Sequence, residues 1–135
     1  MNPPSFLSAS LQVALGGALG AWLRYGAGLA VNRSLGAGGP TVFPWATFGI
    51  NVLGSFAMGL LAGWLVRHGS GGESWRLLIG VGLLGGFTTF SAFSLELVLM
   101  IQRGALVNAA GYAMLSVLAG VVALFAGLAL LRVPA

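Results

Sequence analysis

The chain contains no cysteine and no lysine, and only two of its 135 residues are acidic. Without cysteine, disulfides and thiolate metal sites are excluded. Charged residues make up 6% of the chain, against about 25% in soluble domains, which excludes an ordinary water-facing surface. The six arginines are scattered rather than clustered, so a nucleic-acid patch is not expected. The formal charge of +4 reflects scarcity of acid. No basic residue precedes Arg24, so the charged start of a signal peptide is missing and the first apolar stretch is expected to stay in the mature protein. There is neither a phosphate-binding glycine loop nor a catalytic cluster, and the single histidine, His68, reads as a loop residue. An enzyme is not expected.

What remains is hydrophobic: 58% of the residues are apolar or aromatic. They fall into four stretches, Phe6 to Val31, Phe43 to Val66, Trp75 to Ile101 and Gly104 to Leu131. A helix needs about 20 residues to cross a hydrocarbon core of roughly 30 Å, so each stretch is long enough to span with some tilt. The ends "MNPPSF" and "RVPA" are stubs, and the longest connection, "NRSLGAGGPT", has the glycine, proline and serine of a loop. The expected fold is an all-α membrane protein, a single four-helix domain over residues 1–135.

Alternating spans put Arg67, Arg76 and Arg132, partly offset by Glu73, on one side of the membrane, and Arg33 and Arg103 on the other. Orientation follows the arginine and lysine excess of short loops. So even a distribution allows insertion both ways round, and hence an antiparallel two-fold dimer with a site between inverted copies. A single fixed orientation is the alternative. Small residues four apart, Gly16 and Gly20, Gly59 and Gly63, Gly82 and Gly86, allow close helix approach without choosing a partner.

The third stretch is the least ordinary. It runs "WRLLIGVGLLGG", "FTTF", "SAFSLELVLMI", so glycines and hydroxyls interrupt it near its centre. A break at membrane depth is tolerated where the freed backbone lines a cavity or is buried in protein. Carbonyls ending the first half would attract a cation, and amides opening the second half an anion. The alternative is an intact helix with Gly85 and Gly86 as packing notches and threonines bonded back to their own carbonyls. Phe90 and Phe93 share a helical face. They either pack or offer their positive ring edges to an anion, a site weak enough for conduction. Asn51, inside the second stretch, could donate to a dehydrated anion or bond across helices. Arg24, inside the first, is open to anion attraction or to structural anchoring by snorkelling.

These residues converge on a family. Gly85 to Phe93, "GGFTTFSAF", resembles the G-G-x-T-T-F-S-x-F signature of the Fluc/CrcB fluoride channels. Gly16, Gly17, Gly20, Ala21, Arg24 and Tyr25 match its first-span pattern, and Asn51 with Gly54 its second. The resemblance implies an antiparallel dual-topology homodimer in the cell membrane, with two fluoride pores and one structural sodium ion (Na+) that is not transported. It assigns the sodium to backbone carbonyls of Gly85 and Thr88. It makes Phe90 and Phe93 pore-lining rings, Asn51 the anion-coordinating amide, and Tyr112 and Ser116 a polar track on the fourth span. Some members carry a further hydroxyl where this chain has Gly120. Glu96 lies in the matched region, where contact with ions and a place in an interfacial network are both open to it. The implied role is passive export of fluoride, conferring resistance. Two other classes were weighed: a small proton-coupled multidrug exporter, which needs a membrane-buried acid where the first span has Arg24, and a non-conducting assembly subunit, which leaves the polar interruption unexplained.

Overall fold

The computed structural model describes residues 4–35, 43–68 and 72–131, and among them every element is helical. Helix α1 covers Phe6–Leu35 and α2 covers Trp45–His68. The third span, Glu73–Gln102, is composite. It comprises a short α3 (Glu73–Trp75), a π-helical stretch Arg76–Leu84, α4 (Gly85–Phe87) and α5 (Phe90–Gln102). Helix α6 (Leu106–Leu131) closes the chain. Four segments are therefore long and apolar enough to cross a membrane, and the protein is a multi-pass membrane protein. The first span runs past the expected Val31 to Leu35, and His68 ends α2 rather than lying in a loop. Arg132, counted toward orientation, and most of "NRSLGAGGPT", expected to be a loop, lie outside the described residues.

The glycine pairs are used inside the chain. Gly16 and Gly20 of α1 lie against the backbone of Leu78, Gly82, Leu83 and Phe87, and Gly86 lies against the carbonyl of Gly17. Gly59 of α2 meets the backbone of Leu124 and Leu128, while Gly127 of α6 meets that of Phe56 and Leu60. Apolar lipid tails give no hydrophobic drive for helix association, so helices in a bilayer gain from such backbone approach by dispersion. Two seams result, α1 against the first half of the third span and α2 against α6.

The π-helical winding of Arg76–Leu84 was not expected from the sequence. It buries Gly80, Gly82 and Leu84. Gly82 faces the backbone of Val13 and Gly16 on α1, whereas Gly80 faces Leu61 and Met58 on α2. Bare backbone on both sides lets this stretch sit between two helices. At the other end of the span the chain reverses tightly. Gly104 adopts φ 77°, and Ala105 N–H donates to the Met100 carbonyl at 3.0 Å. This is the left-handed glycine termination that satisfies the last carbonyls of a helix.

A small aromatic core lies between α5, α6 and the start of α2. Met100, Ala109 and Tyr112 are buried there, with Phe43, Phe48 and Phe93 packed against them. The Tyr112 ring stands 5.2 Å from Phe43 and 5.1 Å from Phe93, within the range where tilted aromatic pairs attract. The contact with Phe93 ties this core to the centre of the third span.

Candidate functional site

Between α4 and α5 the chain is extended, with Thr88 at φ −78°, ψ 159° and Thr89 at φ −149°, ψ 120°. The local sequence favours this. Two glycines resist helix, two β-branched residues follow, and Thr89 caps the next helix by accepting from Ala92 N–H at 3.2 Å. Thr88 Oγ1 donates back to the Leu84 carbonyl at 2.9 Å.

Asn51 of α2 grips the same point with both ends of its amide. Its Oδ1 accepts from Thr89 N–H at 2.8 Å and its Nδ2 donates to the Thr89 carbonyl at 3.0 Å. In an uninterrupted α-helix the amides of Thr89 and Ala92 would serve the carbonyls four residues earlier, those of Gly85 and Thr88. Here the first goes to Asn51 and the second to the Thr89 hydroxyl. The two carbonyls that the resemblance assigns to a cation are thus among those whose helical donors are lost at this interval. The Thr88 carbonyl accepts from Arg24 Nη1 at 3.2 Å. A carbonyl oxygen has a second lone pair, which stays available. Gly85 is exposed on the surface of the single chain. Among the described residues no group of three or more His, Cys, Asp or Glu could hold a metal.

Glu96 is held by two hydroxyls: Thr47 Oγ1 donates to Oε1 at 2.6 Å, and Tyr112 OH donates to Oε2 at 2.7 Å. Tyr112 is fully buried, and its hydroxyl faces this carboxylate. Thr47 was missed by sequence reasoning, yet a signal existed. Thr47, Asn51 and Ser55 are spaced four apart on a helix otherwise apolar as far as Val66, which places them on one face.

Two cavities meet at Thr89. The larger, about 620 Å³, is bordered by Arg24, Thr47, Thr89 and Glu96. The smaller, about 330 Å³, brings together Asn51, Thr88, Thr89, Phe90, Phe93 and Ser116. Along its rim the Phe90 and Phe93 rings stand 5.8 Å apart, tilted by 39°. Phe90 is 79% exposed, so its ring forms an outer wall. The Ser116 hydroxyl is buried, beside the Tyr112 hydroxyl one helical turn earlier. Of the residues singled out from sequence, Tyr112 and Gly85 border neither cavity. Tyr112 packs on Phe93, and Gly85 is exposed.

Residues 11–128 match the family described as "CrcB-like protein, Camphor Resistance (CrcB)". A relative from Novosphingobium aromaticivorans, named "Fluoride-specific ion channel FluC", is 58% identical over 126 residues, covering 93% of this chain and 98% of its own. A relative of the same name from Erythrobacter litoralis is 56% identical over 131 residues, covering 96% and 95%. A third, from Caulobacter vibrioides, is 50% identical over 123 residues, covering 90% and 94%. With the family matched over nearly its whole length, this chain belongs to the CrcB family, and its similar relatives carry the name of a fluoride-specific channel.

Proposed function

We propose that the protein is a passive fluoride channel of the cell membrane, exporting fluoride and so conferring resistance to it. The observation that carries this reading is the smaller cavity, where two phenylalanine rings, an asparagine and a serine line one space. All are neutral. Such groups favour a small anion without trapping it, as conduction requires. Ring edges carry the positive end of the quadrupole. Asn51 is locked with its oxygen on Thr89 N–H, so one amide hydrogen is committed to the Thr89 carbonyl and the other is free to donate to an anion. Arg24, bordering the larger cavity, raises the local anion concentration before the narrow part. Hydrogen fluoride enters cells uncharged and dissociates at cytoplasmic pH, so a pore alone drains the trapped anion. No catalytic step is involved.

The working unit in this reading is an antiparallel homodimer with two pores. Gly85 and Phe90 are both exposed in the single chain, and the near-even arginine distribution permits both orientations. We read Thr88 and Thr89 as the break of the third helix. A structural sodium ion would be held by the Gly85 and Thr88 carbonyls of both copies, joining the chains at the two-fold axis. Neutral carbonyls suit a monovalent ion better than calcium, which prefers carboxylates among its ligands.

Efflux from proteoliposomes tests the reading. Fluoride should leave far faster than chloride with no proton gradient, and Phe90→Ile, which keeps bulk but removes the ring, should lower fluoride efflux at least about ten-fold. Replacing sodium by a larger monovalent cation should lower efflux and the dimeric fraction together. Absence of fluoride efflux from wild-type protein would refute the channel. A carboxyl-terminal tag found on one side of the membrane only would refute the antiparallel arrangement.

A further inference from the structure

We propose that Ser55 is a pore-lining hydroxyl, supplying from α2 the polar step beyond Ser116 that α6 lacks at Gly120. The proposal rests on the channel reading above. The 330 Å³ cavity that holds Phe90, Phe93 and Asn51 adjoins a further one of about 280 Å³, bordered by Gly120 and Val121. Both are bordered by Ser55, Ser116, Val117 and Leu124. Ser55 and Ser116 are the polar members of that common wall.

Ser116 marks the α6 side of that wall, its hydroxyl buried beside that of Tyr112 one helical turn earlier. Ser55 lies across from it, one helical turn beyond Asn51 on the face that also carries Thr47. The three α2 side chains follow the path: Thr47 binds Glu96 beside the larger cavity, Asn51 holds Thr89, and Ser55 borders both smaller cavities. A Cβ built on Gly120 would stand 3.5 Å from Ser55 Oγ. The Ser55 hydroxyl therefore sits beside the bare α6 backbone, within reach of the place a side chain at 120 would occupy. An anion leaving the phenylalanine rings meets Ser116 from α6 and then Ser55 from α2. Each is a neutral, rotatable donor, so the path continues without a fixed charge.

Fluoride efflux from proteoliposomes distinguishes this from simple packing between α2 and α6. Ser55→Ala should lower the rate about ten-fold, what one hydroxyl-to-anion hydrogen bond is worth, with the elution profile and thermal midpoint of the purified protein unchanged. In that background Gly120→Ser should restore most of the flux, because it returns a hydroxyl to the same wall from the opposite helix, whereas Gly120→Ala should not. Wild-type efflux in Ser55→Ala overturns the assignment while leaving the channel reading intact. So does a loss that Gly120→Ser fails to restore, or one that Gly120→Ala restores equally well. Failure of the wild-type protein to pass fluoride would instead overturn the channel reading itself.

Discussion

The two glycine seams and the Thr88–Thr89 interval are built from similar residue types to opposite ends. In the seams, glycine removes side chains so that backbone meets backbone: Gly59 lies on the Leu124 carbonyl and Gly127 on that of Phe56. At the interval, Gly85 and Gly86, the second still lying against the Gly17 carbonyl, precede a loss of helical structure, and side chains of Asn51, Thr89 and Arg24 satisfy the backbone. At Gly59 and Gly127 the seam is backbone on backbone, whereas the interval borders two cavities. Glycine thus makes a membrane helix tight where its neighbour is another smooth helix. It makes the helix interruptible where a neighbour offers amide and hydroxyl groups.

The largest effect is expected in a seam. Gly59→Leu forces a Cβ onto the Leu124 carbonyl. Backbone cannot step aside as a side chain does, so the cost should exceed the ~1–3 kcal/mol of ordinary overpacking, and no monodisperse protein should elute after detergent extraction. Recovery of folded protein would mean that α2 and α6 are less rigidly apposed than described.

A smaller loss is expected at the interval. Asn51→Asp keeps an acceptor for Thr89 N–H but removes the donor to the Thr89 carbonyl. It should cost about 1–3 kcal/mol, the penalty of a buried polar group left unpaired, read as a lower thermal midpoint. Fluoride efflux should fall as well, because a negative charge replaces a donor. An unchanged midpoint would show that the grip on Thr89 contributes nothing to the fold. The smallest effect belongs to the cap. Thr89→Ala removes the acceptor for Ala92 N–H, worth about 1 kcal/mol, and should show as faster hydrogen exchange at the start of α5. Protection equal to wild type there would place the start of α5 under control of Asn51 alone.

Much of this was legible in the residues because the medium imposes it. Four apolar stretches of spanning length could only be helices, since lipid offers no partner for backbone groups. The residues that stand out inside them were therefore the candidates for a site, and Asn51, Thr88, Phe90, Phe93 and Ser116 line one cavity while Gly85 and Tyr112 do not. The glycine pairs were equally visible, but not their partners, because four-residue spacing describes one helix and contact needs two. Arg24 illustrates the same limit. Its depth in the span was readable, and its bond to the Thr88 carbonyl was not.

The sequence by itself determined the class of the protein: composition set the solvent, length set the spans, and the Gly85 to Phe93 motif placed the polar interruption. Tertiary structure decided how that interruption is satisfied. Asn51 and Thr89 are far apart in the chain, yet they exchange two hydrogen bonds. Thr47 and Tyr112, from different helices, converge on Glu96. Local sequence specifies which backbone groups lose their helical partners. Only the packing of one helix on another specifies which side chains arrive in their place, because hydrogen bonds act over about 3 Å and that proximity is a property of the folded chain.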